Sequence, residues 1–120
     1  MRDGEPDQEI FRVAVHEVGG VPVVEAAGEL DLETAGSFEA ALSRALEANA
    51  ERVIVDLTSV TFMDSSGVNA LMSRTRSFRE AGGAVPLAVG GEQQAFKVLR
   101  ICGLDRLLGV HPDAESAARG

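Results

Sequence analysis

The segment from Val53 to Leu57 limits the possible folds more than any other part of this sequence. It reads Val-Ile-Val-Asp-Leu, so apolar residues follow one another without the alternation that a half-exposed strand would show. A run of this kind is typical of a strand in a parallel sheet that helices cover on both faces. Amphipathic segments flank it on both sides, and the chain is therefore predicted to be an α/β domain.

Three amphipathic segments predict the main helices. The first has Asp31 in the position of an N-cap. The second begins at residues 64–67 and ends at the glycine pair 82–83. The third runs from Glu92 to Cys102. The residues predicted to face the core are Ala35, Phe38, Ala41, Leu42, Ala45, Leu46 and Asn49 in the first helix, Val68, Leu71, Met72, Thr75 and Phe78 in the second, and Phe96, Leu99 and Cys102 in the third.

The N-terminal apolar segments predict an antiparallel hairpin. Residues 10–16 alternate between apolar and polar side chains, Gly19-Gly20 interrupts them, and Val21 to Ala27 resume the pattern. Elsewhere the pattern predicts a connecting loop at residues 58–63, strands at 85–89 and 107–110, and a short helix from Pro112. The expected architecture is a mostly parallel central sheet with an N-terminal antiparallel hairpin and flanking helices.

Length and charge exclude several classes of protein. The 120 residues predict one domain, at residues 10–118, after a flexible acidic tail at residues 1–9. The 19 acidic and 11 basic residues give a net charge of −8, which argues against a nucleic-acid partner because such a protein needs a basic face. No apolar run approaches the roughly 18 residues that span a bilayer, and residues 1–7 contain no apolar segment of the kind that forms the core of a signal peptide. We expect a cytoplasmic protein with no membrane partner.

The sequence contains few of the side chains that enzymes use for covalent or metal chemistry. The histidines are His16 and His111, and the sequence places neither beside a serine or cysteine nucleophile. Cys102 is the only cysteine and is expected to be a buried packing residue. The glycines lack the spacing of phosphate-binding or dinucleotide-binding loops, and potential metal ligands do not cluster. We expect no enzymatic activity, no metal site and no cofactor.

Residues 64–67, Asp-Ser-Ser-Gly, begin the second predicted helix and allow two interpretations. In the structural one, the oxygen of an aspartate or serine caps the helix by accepting hydrogen bonds from its free amides. In the functional one, a serine at an exposed helix N-terminus is a phosphoacceptor, since the helix dipole tolerates an added phosphate. No neighbouring group activates the hydroxyl, so a separate kinase would supply the base, the metal and the nucleotide.

Four segments resemble the STAS domain of anti-sigma factor antagonists. They are Gly-Glu-Leu-Asp at residues 28–31, Val-Ile-Val-Asp-Leu at 53–57, Phe-Met-Asp-Ser-Ser-Gly at 62–67 and Gly-Leu-Asp-Arg-Leu-Leu at 103–108. The resemblance extends in order from Ile10 to Ala118. It implies a STAS-like fold and a regulator of sigma-factor-dependent transcription. Such a protein binds an anti-sigma factor while unphosphorylated, which frees the sigma factor, and is released when it is phosphorylated.

The resemblance also implies which residues form the site. Ser65, the first serine of the Asp-Ser-Ser-Gly segment, would accept phosphate from an anti-sigma factor with serine kinase activity, and a protein phosphatase would restore the hydroxyl. The residues expected to form the partner surface are Glu29, Asp31, Asp64, Ser66, Gly67, Val68 and Asn69. Where this chain has Val68-Asn69, many members carry leucine and glycine, and this departure is expected to alter the surface beside Ser65.

Two other functions stay open at the level of the sequence. One is a STAS scaffold in a signalling assembly or a transporter complex, and the other is a small α/β enzyme or nucleotide-binding protein. Retention of Asp64-Ser65 favours the phosphorylation switch over the scaffold. Recovery of a kinase-like anti-sigma factor in a pull-down would separate the phosphorylation switch from the scaffold. A nucleotide-binding titration would test the enzyme or nucleotide-binding protein.

Overall fold

The structure, a computed structural model, describes residues 10–48 and 51–120 as alternating strands and helices. The strands are β1 (Arg12–Val18), β2 (Val21–Leu30), β3 (Ile54–Met63), β4 (Leu87–Ala88) and β5 (Val110–His111). The helices are α1 (Ala35–Ala48), α2 (Ser65–Glu80), α3 (Gln94–Ile101), α4 (Leu104–Leu108) and α5 (Ala114–Arg119). The predicted acidic tail and Asn49 lie outside the described residues. No helix within the described residues is long and apolar enough to cross a membrane.

The strands form one five-stranded sheet in the order β1-β2-β3-β4-β5. β1 and β2 are antiparallel, and the other neighbours are parallel. Gly19 and Gly20 form the turn of the hairpin, and both have the positive φ (59° and 80°) that a tight turn of this kind requires. Each parallel connection moves one strand along in the same direction, so right-handed crossovers place α1, α2 and α3 on one face. The predicted sheet and its hairpin are confirmed.

Two apolar clusters hold helices on opposite faces of the sheet. The larger cluster joins β2, β3 and residues 85–89 to α1, α2, α3 and α4, and it includes the fully buried Phe38 and Leu71. The smaller cluster, which packs α5 on the other face, contains Val23, Ile54, Ala114 and Ala117. Residues 53–55 and 57 are 0% exposed, which confirms that this segment is covered on both faces.

β3 is longer than the sequence pattern predicts. The predicted connecting loop at residues 58–63 is wrong, because these residues continue β3 beside β2, which itself runs on to Leu30. Two register shifts in this part of the β2–β3 ladder break the alternation that would otherwise reveal the strand. The buried Asp56 carboxylate stabilises the first one. Its Oδ1 accepts hydrogen bonds from the Thr58 amide (2.9 Å) and hydroxyl (2.7 Å).

Two glutamine side chains take the place of a neighbouring strand along the second half of β3, because β4 pairs only with its first half. The Gln93 side-chain amide donates to the carbonyl oxygens of Leu57 (3.0 Å) and Val60 (2.9 Å). The Gln94 side chain accepts from the Met63 amide at 2.8 Å and donates to the Met63 carbonyl oxygen at 2.9 Å. These bonds fasten the start of α3 to the end of β3.

The segment after α3 forms a short helix rather than the strand predicted at residues 107–110. Leu104 and Leu108 lie one helical turn apart and both pack into the larger cluster, so only Val110–His111 remain to form β5. Cys102 is exposed, and its predicted burial is wrong. The reason is that α3 ends one residue earlier and the chain turns away at Gly103, whose φ is 80°.

α2 packs on the sheet through a face that is displaced from the predicted one toward Gly67 and Ala70. Its buried residues are Gly67, Val68, Ala70, Leu71 and Thr75. Met72, predicted to face the core, is 37% exposed because it lies at the margin of this face. Gly67 allows a close approach to the sheet. A Cβ at this position would lie 2.9 Å from Cγ of Leu30 and 3.0 Å from Cε of Met63.

α5 is held at both ends by hydrogen bonds. At its C-terminal end the Arg52 guanidinium donates to the carbonyl oxygens of Ala117 and Ala118. At its N-terminal end Asp113 Oδ1 accepts from the Ser116 amide at 2.8 Å. Hydrogen bonds from the Ser116 amide and hydroxyl hold the pKa of the Asp113 carboxyl below its ordinary value of 3.8.

Gly67→Ala should destabilise the protein, whereas Gly36→Ala should stabilise it. Both glycines lie in the first turn of a helix and neither has a positive φ, but a Cβ at Gly36 meets no atom within 4 Å. Alanine at Gly36 gains about 0.5–1 kcal/mol of helix propensity. At Gly67 overpacking against Leu30 costs about 1–3 kcal/mol and outweighs that gain. Urea unfolding measures both differences, and equal stabilisation by the two alanines would contradict the close packing of α2.

Asp113→Ala should lower stability at neutral pH, and the effect should fade in acid. Because the folded-state pKa is lowered, the cap contributes fully above the ordinary pKa and is lost as the pH falls through the lowered value. We therefore expect a difference in the free energy of unfolding that shrinks below pH 3.8. Urea unfolding over a range of pH measures this, with Glu115→Ala, an exposed acidic residue of the same turn, as the control. A difference that is independent of pH would refute the role of the charge.

Candidate functional site

The carboxyl ends of β2 and β3 meet at one edge of the sheet, which we call the carboxyl edge (residues 29–34 and 62–69). Leu30 and Met63 are the last paired residues of the two strands, and the Asp64 amide donates to the Leu30 carbonyl oxygen at 3.3 Å. α2 begins at the next residue, Ser65. In open α/β sheets, binding sites usually form outside the carboxyl ends of the strands. The carboxyl edge brings together two segments that lie far apart in the sequence.

Asp64 is the N-cap of α2, which confirms the structural interpretation of the Asp-Ser-Ser-Gly segment. Its backbone is extended, and its Oδ1 accepts from the Ser66 amide at 2.8 Å. Its carbonyl oxygen accepts from the amides of Gly67 (3.1 Å) and Val68 (3.4 Å). The bonds of the Ser66 and Gly67 amides satisfy donors that regular helical bonding leaves without acceptors, and the Val68 bond is the first regular bond of the helix, so Asp64 fixes where α2 begins.

Ser65 is the first residue of α2, and its side chain is exposed. Within residues 10–48 and 51–120 its hydroxyl forms no hydrogen bond. Ser66, by contrast, is half-buried and its amide is bound to Asp64. The positive end of the α2 dipole lies beside the Ser65 hydroxyl and favours negative charge there. The geometry leaves this hydroxyl open to another molecule.

The predicted partner residues divide between the surface and the core. Glu29 and Asn69 are exposed, Asp31, Asp64 and Ser66 are half-buried, and Gly67 and Val68 are buried. Val68 is only 3% exposed. The two buried residues set the position of α2 relative to the sheet, while the other side chains are available at the surface.

Asp31 organises the turn between β2 and α1. Its Oδ1 accepts from the amides of Glu33 (3.0 Å) and Thr34 (3.3 Å), and its carbonyl oxygen accepts from the Ala35 amide at 2.8 Å. The Thr34 hydroxyl completes the turn by accepting from the Asp31 amide (2.9 Å) and donating to the Glu29 carbonyl oxygen (2.8 Å). Asp31 therefore caps the turn at residues 32–34 and not α1 itself, which begins at Ala35, so its predicted position as the N-cap of the helix is wrong by one turn.

Leu32 lies in this well-bonded turn and is 80% exposed. The acidic residues Glu29, Asp31, Glu33 and Asp64 lie on the same edge. The sequence has no lysine or arginine at residues 13–43 or 62–73, so the local charge is negative. A rigidly held apolar side chain in a negative field is complementary to a partner with basic side chains around an apolar contact.

The sequence-based predictions do not include three residues that form or support the carboxyl edge: Leu32, Thr34 and Gln94. For Thr34 the signal is the Asp-x-x-Thr spacing, which permits the reciprocal bonds of a capping turn. For Leu32 it is an apolar residue between two acidic residues just before a helix. Gln94 has no local signal, because its partner Met63 lies 31 residues earlier in the chain.

Other features of the described residues lie apart from the carboxyl edge. A groove of about 380 Å³ between α1 and α2 is lined by Ser43, Leu46, Glu47, Ser73, Arg74, Ser77 and Phe78. Within residues 10–48 and 51–120, no group of three or more His, Cys, Asp and Glu side chains could hold a metal ion. Neither observation adds a residue to the carboxyl edge.

Similar structures have the same fold. An anti-sigma factor antagonist from Mycobacterium paratuberculosis matches with a TM-score of 0.79 and 24% identity, over 92% of this chain and 96% of that chain. The unphosphorylated form of the anti-sigma factor antagonist SpoIIAA matches with a TM-score of 0.71 and 25% identity, over 90% and 95% of the two chains. The phosphorylated form of the Bacillus cell fate determinant SpoIIAA matches with a TM-score of 0.63 and 23% identity, over 92% and 98%.

The sequence itself matches a family model. No curated protein sequence matches this chain significantly. The model of the STAS domain, however, matches residues 12–117, a range that contains all the described strands and both segments of the carboxyl edge. The resemblance carried by the four sequence segments is thereby confirmed, and the chain belongs to the STAS domain family.

Proposed function

We propose that this chain is an anti-sigma factor antagonist and that phosphorylation of Ser65 switches it off. The observation that carries the proposal is the exposed Ser65 hydroxyl at the first position of a helix capped by Asp64, on the edge that also bears Glu29 and Asp31. Membership of the STAS family and the likeness to anti-sigma factor antagonists support the role. The unphosphorylated protein binds the anti-sigma factor and so frees the sigma factor for transcription.

In this proposal the chain supplies the acceptor and its partner supplies the catalytic groups. The anti-sigma factor is a serine kinase that holds ATP. The Ser65 oxygen attacks the γ-phosphorus, the bond from that phosphorus to the ADP oxygen breaks, and the hydroxyl proton passes to a base on the kinase. A protein phosphatase hydrolyses the phosphoserine, which releases inorganic phosphate and restores the hydroxyl. The isolated chain has no catalytic turnover in this scheme.

The added phosphate should leave the domain folded. It changes the net charge from −8 to about −10. The N-terminus of α2 stabilises it by about 0.3–1 kcal/mol. Repulsion from Asp64 opposes this gain and is weakened by solvent and salt. The likeness of this fold to both the unphosphorylated and the phosphorylated forms of SpoIIAA supports the same expectation.

The complex responds differently to the phosphate. When the unphosphorylated protein binds, the Ser65 hydroxyl is covered by a partner surface shaped for a neutral group. A phosphate at this position would be taken out of water without a countercharge, which costs several kcal/mol. At 1.4 kcal/mol for each tenfold change, the affinity falls by about two orders of magnitude or more.

Phosphorylation of Ser65 should therefore weaken binding to a serine-kinase anti-sigma factor from the same organism by about a hundredfold or more, while thermal melting changes little. Phosphopeptide mapping should find the phosphate on Ser65 and not on Ser66. Ser65→Asp should weaken binding in the same direction but less fully, since it carries less charge. Calorimetric titration and thermal melting of both forms measure these effects.

Ser73→Asp is the matched control, because it adds the same charge to an exposed position two turns further along α2. It should bind as the wild type does. Phosphate found mainly on Ser66, or an affinity unchanged by phosphate on Ser65, would refute the proposal. A collapse of the melting temperature on phosphorylation would show that the phosphate acts by unfolding the domain.

Leu32→Ala should weaken the same complex by about tenfold, because exposed apolar side chains held in a rigid turn are typical anchors of interfaces. Ile101→Ala is the control, since Ile101 is 84% exposed, close to the 80% of Leu32, but lies at the end of α3. Both variants should melt like the wild type. Equal affinity of the two variants would place the partner elsewhere.

A further inference from the structure

Gln94 makes a paired contact with the backbone just before the proposed phosphoacceptor. Its side-chain oxygen accepts from the Met63 amide at 2.8 Å, and its side-chain nitrogen donates to the Met63 carbonyl oxygen at 2.9 Å. One amide side chain thus satisfies both hydrogen-bonding groups of one β3 residue, as a neighbouring strand would. Asp64 and Ser65 follow directly, so the contact lies two residues from the Ser65 hydroxyl.

β2 supports the end of β3 on one side, and Gln94 supports it on the other. On the first side Met63 pairs with Leu30, whose carbonyl oxygen accepts from the Asp64 amide at 3.3 Å. This distance lies at the long end of the ordinary range, so that bond is weak. On the second side β4 pairs only with the first half of β3. Loss of Gln94 therefore removes the support of β3 directly before the Asp64 cap, which is then held through β2 and through the packing of α2 at Gly67 and Val68.

We propose that Gln94 is a positioning residue for phosphoryl transfer to Ser65, an inference that rests on the function proposed above. It acts through Met63 and the Asp64 cap, which together fix where the first turn of α2 begins. In-line attack on the γ-phosphorus of kinase-bound ATP, with ADP leaving and the hydroxyl proton passing to the kinase, requires the Ser65 oxygen to be held close to that phosphorus. Gln94 keeps the oxygen at that place without touching the kinase.

Gln93 provides the matched comparison. It is the neighbouring residue, has the same side chain and also bonds β3. Its side-chain nitrogen donates to the carbonyl oxygens of Leu57 and Val60, further from Ser65, and its side-chain oxygen accepts from the Gly90 amide at 2.6 Å. Substitution of either glutamine by alanine removes hydrogen bonds between the start of α3 and β3. Gln93→Ala loses three side-chain hydrogen bonds and Gln94→Ala loses two, so a purely structural role predicts that Gln93→Ala affects stability and phosphorylation at least as much.

The test is steady-state phosphorylation of the two variants by a serine-kinase anti-sigma factor from the same organism. Gln94→Ala should lower kcat by about ten- to a hundredfold, since small misplacements of a reacting group have effects of that size. KM should stay the same, because Glu29, Asp31 and Leu32 still form the docking surface. Gln93→Ala should keep the wild-type kcat. Melting curves establish the temperature at which both variants are fully folded, and the assay is run there.

Amide hydrogen exchange gives a second reading that needs no kinase. Gln94→Ala should speed exchange at the Ser66 and Gly67 amides, which depend on the Asp64 cap, by about tenfold more than Gln93→Ala does. Gln94→Glu keeps the length of the side chain and is the second variant to be measured if Gln94→Ala does not fold. Its ionised carboxylate accepts from the Met63 amide but cannot donate to the carbonyl oxygen. The protection of the Ser66 and Gly67 amides relative to their intrinsic exchange rate should therefore approach that of the wild type when acid protonates it.

The outcomes separate this inference from the proposed function. If wild-type Ser65 receives no phosphate, both fail. If wild-type Ser65 is phosphorylated but Gln94→Ala and Gln93→Ala give equal kcat and equal exchange at the Ser66 and Gly67 amides, only the positioning role is overturned. A lower kcat for Gln94→Ala, with KM unchanged and faster exchange at the cap, supports it.

Discussion

β3 begins as a buried central strand and ends at an exposed turn, and hydrogen bonds from side chains satisfy its backbone where a neighbouring strand is missing. Its first half is covered on both faces, and strands on either side satisfy its amides and carbonyls. Its second half runs past the end of β4 toward an exposed turn. A backbone that leaves the sheet without partners loses about 1–3 kcal/mol for each buried polar group left unpaired. Gln93 prevents this loss in the middle of the strand, at Leu57 and Val60, and Gln94 prevents it at Met63, the residue before Asp64.

The charge of the carboxyl edge bears on how the proposed switch works. Glu29, Asp31, Glu33 and Asp64 give the edge a negative field, which speeds the approach of a basic partner. A phosphate on Ser65 strengthens this long-range field, so it does not slow the encounter. The switch therefore acts after contact, through the cost of covering a doubly charged group, and its effect belongs to the dissociation rate. Salt weakens the encounter of both forms, and it weakens that of the phosphorylated form more because its field is stronger.

The parts of the fold that depend on local pattern could be predicted from the sequence, and those that depend on distant partners could not. The apolar residues of the 53–57 segment, the alternation around Gly19-Gly20 and the spacing of the helices are local properties, and they predict the sheet, the hairpin and the helical layers. The second half of β3 could not be predicted because its register shifts are set by β2. The helix at Leu104–Leu108 follows from packing on the larger cluster, which overrides a sequence that also suits a strand. At the site, the caps at Asp31 and Asp64 are local, whereas the contact of Gln94 with Met63 is not.

The buried residues beneath the carboxyl edge affect the surface without being part of it. Gly67 has no room for a Cβ above Leu30, so its small size sets how closely α2 approaches the sheet. That distance in turn decides how far Ser65 projects relative to Leu32, which stands on the neighbouring turn. Val68 is 3% exposed, so the departure from the leucine of many STAS members changes packing under α2. Asn69 is exposed and changes the surface itself. Of this pair, only Asn69 is open to direct contact with another molecule, whereas Val68 acts on the packing beneath α2.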